Sequence, residues 1–213
     1  NIKKMTNTNS HIISIYNARK NLLEILEERG FDVTPYSNFS INEIGIMLET
    51  NQLDMLLEKS STKKKIYVKF YVSKVLKTQN IYDMVEDLFH IESVLSKKDD
   101  FIIIAKDQPN DTLIQNVKDI WMSDNIYISL LNIKRLQFNI LKHELNPPHM
   151  KLTIEEKEDF MKKFNILKES QIPDISYFSP VSLVMGFRPG DVIHIKRKSR
   201  TAIETDFYRI CKI

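Results

Sequence analysis

The chain has 213 residues, of which 42% are hydrophobic and 28% are charged. That length suffices for one or two domains with a buried core, and the apolar fraction is higher than disordered chains carry. The net charge is +3, because the first 140 residues carry 18 basic and 18 acidic side chains and the remaining 73 carry 13 and 10. Neither part therefore has the basic excess typical of an independent nucleic-acid-binding domain.

Three further features limit the class of protein. No window of about 18 consecutive apolar residues occurs, so we expect no membrane-spanning helix and no membrane partner. Residues 1–10 lack the apolar run of a secretory signal, so we expect none. The single cysteine, Cys211, can form neither an internal disulfide nor a cysteine zinc site, which is typical of a reducing compartment.

The first 140 residues indicate helices that alternate with short strands. Ser40 and Glu43 have the spacing of a capping box, and Gly30 is a suitable left-handed stop for the preceding helix. The predicted elements are, in chain order, a helix from Asn9 or Ser10 to about Arg29, a helix from Ser40 to about Leu57, a loop Ser60–Lys65, a strand Ile66–Val72, a helix Asn80–Leu95, a strand Phe101–Ala105, a turn Asp107–Asp111, a helix through Leu113 and Trp121, and a strand Ile126–Leu130. This alternation predicts an α/β layer with largely parallel strands, ending near Ile140.

The remaining residues, 141–213, indicate a second, small α+β domain. Thr153 and Glu156 form another capping box, and Ser179 precedes a proline at the first position of a short helix that ends at Gly186. The predicted elements are, in chain order, a break at Pro147-Pro148, a helix from Thr153 to about Phe164, the short helix after Ser179, a turn Pro189–Asp191, and strands Val192–Lys196 and Asp206–Cys211 joined by a turn. The two strands predict an antiparallel pair at least.

No set of residues has the spacing of a catalytic, cofactor or metal site, so we expect none. The four glycines do not form a phosphate-binding loop. His143 and His149 flank a double proline rather than facing each other on a helix. Cys211 and His194 lie in predicted strands, which favours a buried thiol and a surface or interface imidazole. The acidic pair Asp99-Asp100 is predicted to be a solvated turn.

A metal-dependent nuclease is the alternative that the front domain allows. Such an enzyme of the restriction-endonuclease-like fold places one acid before a strand and an acid-x-Lys motif on it, so that two carboxylates hold the metal. Asp54 and Lys69 fit two of these positions, but Tyr67 stands where the second carboxylate belongs. The motif is therefore broken at a residue that the metal requires.

Two basic clusters leave alternatives open. The run Lys63–Lys65 is either a solvated face or a contact surface. The second cluster, Lys196-Arg197-Lys198 with Arg200, lies on the predicted hairpin, where it could contact phosphates or dock on an acidic protein surface.

Several segments in fixed order resemble one family. Residues 141–149 (LKHELNPPH), 164–173 (FNILKESQIP), 179–186 (SPVSLVMG), 188–197 (RPGDVIHIKR) and 208–210 (YRI) are similar to the RNA polymerase subunit called H in archaea and the fifth subunit in eukaryotes. Residues 16–23 (YNARKNLL) and 28–34 (ERGFDVT) resemble the front domain that only the eukaryotic form carries. The resemblance is tight after residue 141 and loose before it.

The resemblance implies a subunit that performs no catalysis. Residues 1–140 would be an N-terminal jaw domain with a non-catalytic, three-layer core like that of restriction endonucleases, near downstream duplex DNA. Residues 141–213 would be an assembly domain that docks on the largest polymerase subunit. Lys106, Pro109 and Asn110 would lie in a DNA-proximal loop whose contacts are weak and independent of sequence. No cofactor is implied.

The same resemblance implies which residues contact other polymerase subunits. Apolar area would come from Val181, Leu183, Val184 and Met185. The expected interface residues are His143, Glu144, Pro148, His149, Pro180, Val181, Gly186, Arg188, Gly190, Lys196, Arg197, Arg200 and Thr201.

Some positions depart from the family pattern. Ser179 replaces an aspartate, and Arg200 replaces an acid in a segment that has also lost its proline. The composition is rich in Ile, Asn and Lys, which is a coding bias of AT-rich genomes. We interpret both features as typical of a polymerase subunit from a large DNA virus, with a location in the virion and host cytoplasm; a cellular version would be nuclear.

Overall fold

Two compact units, each with a four-stranded sheet, make up the described part of the chain. The computed structural model describes residues 2–199 and 201–213, with side chains from Ser10 onward. The first unit ends at Asn139 and the second spans Ile140–Ile213. Both contain helices and strands, so the fold class is mixed α/β, as predicted. Within the described residues, no helix is both long and apolar enough to cross a lipid bilayer.

The first unit is built on one mixed sheet. Its elements are α1 (Ile2–Glu28), α2 (Ile41–Glu49), β1 (Met55–Glu58), β2 (Lys65–Tyr71), α3 (Thr78–Val85), a π-helical turn (Glu86–Ile91), β3 (Asp100–Ala105), α4 (Asp111–Asp124) and β4 (Tyr127–Asn132). The strand order is β1-β2-β3-β4, with β1 antiparallel to β2 and the other pairs parallel. Strands β3 and β4 are buried along their whole length, as expected of central parallel strands. The prediction of a largely parallel layer is confirmed.

The ends of the first two helices can be compared with the stop and capping residues that the sequence predicted. Gly30 has φ +85° and ends α1 as predicted, and the capping box of Ser40 and Glu43 is present. Helix α1 nevertheless begins at Ile2, not at Asn9 or Ser10. The predicted start was wrong because residues 2–9 contain no proline or glycine that would stop the helix from extending toward the N-terminus.

The second and third predicted helices are too long. Helix α2 ends at Glu49, and Asn51 takes a left-handed conformation with φ +56°. The chain then forms β1, in which buried and exposed residues alternate, so the predicted helical run to Leu57 was wrong. Helix α3 passes into the π-helical turn, and Ser93, with φ +50°, breaks the run before Leu95.

Asp99 and Asp100 form a buried polar network, which corrects the predicted solvated turn. Asp100 is 0% exposed; its carboxylate lies 2.7 Å from Arg29 Nη2 and 2.8 Å from Lys64 Nζ. Asp99 is also buried and accepts a hydrogen bond from the backbone N–H of Lys65. Ion pairing offsets the cost of removing these carboxylates from water. Lys64, through its side chain, and Lys65, through its backbone N–H, therefore belong to the network, whereas Lys63 is largely exposed.

The second unit folds around its own sheet. Its elements are β5 (His149–Lys151), α5 (Ile154–Lys163), β6 (Asp174–Ser176), α6 (Pro180–Met185), β7 (Val192–Arg197) and β8 (Thr205–Lys212). The strand order is β5-β7-β8-β6, with β7 and β8 antiparallel as predicted. The core joins α5 to the sheet through Phe160, Ile172, Val192 and Ile210. The capping box at Thr153, the cap at Ser179 and the left-handed Gly186 are all present.

Cys211 is predicted to be unreactive in the folded chain. Burial raises the pKa of its thiol to about 12, and the negative charge of Asp191 adds to the shift. Because the thiolate is the reactive form, we expect iodoacetamide to leave Cys211 unmodified at pH 8 and to alkylate it rapidly in urea. Mass spectrometry measures the modification, and rapid alkylation of the native chain would contradict the prediction.

Candidate functional site

The place where a nuclease would act is occupied by an internal salt bridge. Asp54 precedes β1 and Lys69 lies on β2, and their side chains are 2.5 Å apart. The same carboxylate accepts hydrogen bonds from the backbone N–H of Phe70 at 3.1 Å and from the Tyr67 hydroxyl at 3.4 Å. Burial raises the pKa of Tyr67 to about 12, with a further contribution from Asp54. Tyr67 therefore stays protonated and donates to Asp54, so it cannot act as an anionic metal ligand.

A pocket of ≈ 280 Å³ lies beside this salt bridge. Among the described residues that line it, Asp54 is the only carboxylate. No group of three or more His, Cys, Asp or Glu side chains that could hold a metal ion was found among the described residues. Two carboxylates are the minimum that the nuclease chemistry requires of this position.

We expect Asp54→Ala to affect stability and not catalysis. The change removes three hydrogen bonds at a partly exposed site, so the free energy of unfolding should fall by about 1 to 2 kcal/mol. The isolated wild-type chain should not cleave DNA in Mg²⁺ or Mn²⁺. Asp87→Ala, at an exposed position, serves as the control. Metal-dependent cleavage that is lost only in Asp54→Ala would revive the nuclease alternative.

The predicted DNA-proximal loop follows the carboxyl end of β3. Lys106 and Asn110 are exposed, and Pro109 is half-buried. The Asn110 side chain accepts a hydrogen bond from the Leu113 N–H at 2.9 Å and caps α4, so its carbonyl oxygen already has a partner. Burial, and to a smaller extent the charge of Lys106, lowers the pKa of His11. Lys106 is therefore the cation that this loop presents.

A groove of ≈ 450 Å³ in the second unit brings some of the predicted interface residues together. Three of the predicted residues, His149, Val181 and Arg197, line it. Its other lining residues were not predicted: Asn146, Pro147, Asp174, Ile175, Ser176, Ile195, Phe207 and Arg209. The groove thus combines apolar side chains with two arginines.

Strand pairing explains why these side chains share one face. Ile195 on β7 is paired with Phe207 on β8, and residues two positions away on each strand point the same way. That register puts Arg197 and Arg209 on the face that carries Phe207. The alternation of both strands was visible in the sequence, but the register that selects this set of residues was not.

The two arginines are held in place by different contacts. The Arg197 guanidinium lies 5.8 Å from the centre of the Phe207 ring, and Arg209 Nη1 donates to the Asp174 carbonyl at 2.9 Å. Phe207 remains 40% exposed. Arginine and exposed aromatic side chains are enriched at protein interfaces, so the groove suits a polypeptide with apolar and acidic side chains.

His149 contributes a neutral side chain to the groove. Its Nδ1 lies 2.6 Å from the Pro147 carbonyl. Burial lowers the pKa of His149, and the contact with that carbonyl opposes the shift only in part. The imidazole is therefore uncharged at neutral pH and compatible with an apolar partner.

Several predicted interface residues do not line the groove. Leu183 and Val184 are only 4% and 5% exposed, so the expectation that they offer apolar area was wrong: they fill the core beneath α6. Pro180 begins α6, and Gly186 and Gly190 have φ +73° and +91°, which favours glycine at both turns.

Most of the remaining predicted residues lie on the surface of the second unit. Arg188 is half-buried and its backbone N–H donates to Asp191. His143, Glu144, Pro148, Lys196 and Thr201 are exposed. Arg200 lies outside the described residues.

His194 is held by its neighbours on the sheet. Its Nε2 lies 2.6 Å from Asp206, and its ring stacks on Tyr208 with ring centres 4.9 Å apart. The contact ties β7 to β8 on the face opposite the groove, next to the core residue Phe160. This arrangement is structural and leaves no ring nitrogen facing the groove.

Comparison with known proteins identifies the class. Residues 138–211 match the family model described as RNA polymerase Rpb5, C-terminal domain. The chain is 46% identical over 74 residues, 35% of its length, to the DNA-directed RNA polymerase subunit Rpo5 of Thermococcus onnurineus, 89% of which is covered. It is 29% identical over 196 residues to subunit rpabc1 of RNA polymerases I, II and III of Dictyostelium discoideum, which covers 91% of this chain and 94% of that relative.

A plant relative extends the match across most of the chain. Subunit 5A of DNA-directed RNA polymerase V from Arabidopsis thaliana is 29% identical over 186 residues, 84% of this chain and 80% of the relative. These matches place the chain in the class of DNA-directed RNA polymerase subunits. The chain belongs to the Rpb5 family. These matches favour the polymerase prediction over the nuclease alternative.

Proposed function

We propose that the chain is a non-catalytic subunit of a multisubunit DNA-directed RNA polymerase, anchored by its second unit. The observation that carries this proposal is the match of residues 138–211 to the Rpb5 C-terminal domain, because that range contains the whole groove. The residues of the groove suit protein contact, and the Asp54 site lacks the second carboxylate of a nuclease.

Residues 141–213 act as the assembly domain, and their partner is the largest polymerase subunit. The core of this unit is formed by its own residues, and the archaeal relative consists of little more than the matched region. Both facts support an anchor that works without the first unit. In the groove, Arg197 and Arg209 pair with carboxylates while Phe207 and Val181 receive apolar side chains.

Residues 1–140 act as a jaw domain with a restriction-endonuclease-like, three-layer core. Support comes from the strand order β1-β2-β3-β4 and from the proximity of Asp54 and Lys69. An acid just before one strand and a lysine on the adjoining strand are what such a core retains when Tyr67 stands in place of its second carboxylate.

The loop at Lys106 lies near downstream duplex DNA. A single exposed lysine supplies a weak contact that is independent of sequence, as a translocating enzyme requires. Lys106→Ala in the assembled polymerase should remove about one phosphate contact to downstream DNA. The slope of log affinity against log salt concentration should therefore become shallower by about 1. Lys118→Ala, on α4, is the control. An unchanged salt slope in Lys106→Ala would contradict contact by this loop.

The source of the chain is a large DNA virus. The Ile-, Asn- and Lys-rich composition and the changes at Ser179 and Arg200 support this proposal. Mass spectrometry of purified virions and of host cell fractions tests it. We expect the chain in virions and in the host cytoplasm, and detection in nuclei alone would contradict it.

Separate expression of the two halves tests the anchor. A fragment that begins near Leu141 should co-purify with the largest polymerase subunit, whereas residues 1–140 should not. Thermal unfolding of each fragment checks that it is folded. Retention of the largest subunit by residues 1–140 alone would reverse the two roles.

A further inference from the structure

A small pocket in the first unit contains a buried arginine. The pocket has a volume of ≈ 270 Å³ and lies between α1 and the segment that leads to α2. Arg19 of α1 lines it and is 2% exposed. Most of the other buried or half-buried lining residues are apolar or aromatic, among them Leu23, Tyr36, Phe39 and Ile44. This combination sets Arg19 apart from the surface arginines of the groove.

One edge of the Arg19 guanidinium has no acceptor. Its Nη1 donates to the Leu53 carbonyl at 3.1 Å, whereas Nε and Nη2 have no hydrogen-bond partner among the described residues. Those two nitrogens form the edge of the guanidinium fork that binds carboxylates with two parallel hydrogen bonds. The hydrogen bond to the Leu53 carbonyl holds the Arg19 guanidinium in one orientation, so the edge formed by Nε and Nη2 is fixed as well.

The aromatic rings compensate only part of the cost of this burial. The guanidinium carbon lies 5.8 Å from the centre of the Tyr36 ring and 5.3 Å from that of Phe39. Such contacts offset part of the cost of burying a cation, but each buried donor without an acceptor still carries the cost of its desolvation. Burial also lowers the pKa of Arg19, and the nearby Tyr36 opposes that shift only in part.

We propose that this pocket binds a single carboxylate group, which the Nε and Nη2 edge of Arg19 receives. Lys20 adds positive charge at the pocket, while Glu24 and Glu27 also line it and disfavour ligands with several negative charges. A monoanion therefore fits better than a phosphate. The volume suits a ligand of side-chain size.

Binding requires a shift of the Tyr36–Phe39 segment. The unpaired nitrogens are covered from solvent, and the Tyr36 and Phe39 rings lie close to the guanidinium. The Tyr36 hydroxyl accepts a hydrogen bond from the Leu56 N–H at 3.1 Å, which ties this segment to β1. Entry of a carboxylate therefore exchanges ring contacts for charge-assisted hydrogen bonds. The carboxylate comes either from a free small molecule or from an Asp or Glu side chain of another polypeptide.

Nuclear magnetic resonance of the purified full chain tests the proposal. The Nε–H resonance of Arg19 is assigned from its loss in Arg19→Lys. Titration of the wild-type chain with acetate should shift this resonance and the backbone signals of Tyr36–Phe39 in a saturable manner. Chloride at equal ionic strength should not. In Lys20→Ala, acetate should still shift the Arg19 resonance, because the two proposed donors are Nε and Nη2 of Arg19 and not Lys20.

Two peptides distinguish the sources of the carboxylate. A short peptide with one central glutamate is compared with the same peptide carrying glutamine, both with blocked termini. Tighter binding of the glutamate peptide than of acetate supports a polypeptide source, and binding no tighter than that of acetate supports a small molecule. An Arg19 resonance that responds to neither acetate nor the glutamate peptide, or that responds equally to chloride, would overturn the proposal and leave Arg19 as an internal cation–aromatic contact.

Discussion

Asp100→Ala is expected to lower the free energy of unfolding of the first unit by about 3 to 5 kcal/mol. Asp100 is fully buried and its carboxylate pairs with both Arg29 and Lys64. The Arg29 side chain is only 10% exposed, so removal of the acid leaves a guanidinium in a poorly solvated place without its counter-charge. Lys64 is 28% exposed and can turn toward solvent, which limits its share of the loss.

The single tryptophan makes this effect measurable in the first unit alone. Trp121 lies on α4, so its fluorescence during urea unfolding follows the unit that contains the network. Asp107→Ala, in an exposed loop, should change the free energy of unfolding by no more than about 0.5 kcal/mol.

A double variant distinguishes the contribution of the Arg29–Asp100 ion pair from the cost of leaving one buried charge behind. Arg29→Met combined with Asp100→Ala should recover part of the loss, because no buried charge then remains without a partner. A loss below about 1 kcal/mol in Asp100→Ala would mean that the network is solvated after all.

Phe207→Ala is expected to weaken binding to the largest polymerase subunit by about 30-fold or more, which corresponds to at least about 2 kcal/mol. The Phe207 ring is partly exposed in the groove and carries the Arg197 guanidinium. The truncation therefore removes apolar contact area and also frees an arginine that the ring orients. Arg197→Glu should weaken binding further, because it reverses the charge that meets carboxylates.

Leu167→Ala is the matched control for the groove. Leu167 is an 86% exposed apolar side chain of the same unit and does not line the groove. Titration of the purified full chain against the largest subunit measures each affinity, and urea unfolding checks that each variant is folded. Equal losses in Phe207→Ala and Leu167→Ala, or none in either, would show that the groove is not the docking surface.

Local signals in the sequence predicted much of the fold. The stop at Gly30 and the capping boxes at Ser40 and Thr153 depend on a few adjacent residues, and all three are present. The buried strand Phe101–Ala105 was recognisable from its continuous apolar run. These features need no knowledge of distant parts of the chain.

The errors occur where distant residues decide the outcome. Asp100 meets Arg29 across 71 positions of sequence, so an acidic pair that looks solvated is buried. Met55 and Leu57 suit a helix by composition, but pairing with β2 draws them into a strand. Short apolar runs do not distinguish the two cases by period alone.

The candidate groove was predicted only in part, for the same reason. The resemblance drew attention to His149, Val181 and Arg197, which line it. Phe207 and Arg209 were missed because only the register of β7 and β8 puts them on that face. Leu183 was expected to be exposed, but the packing of α6 buries it. Arg19 lies in the segment 16–23 that resembles the family, but nothing in the sequence marked it as buried.

The most direct test of the account is affinity purification of the tagged full chain from the cells in which it is naturally expressed, at its natural level, followed by mass spectrometry. We expect the large subunits of a DNA-directed RNA polymerase to co-purify in amounts comparable to the chain, and Phe207→Ala to reduce that yield. Recovery of the chain without any polymerase subunit would contradict the central claim.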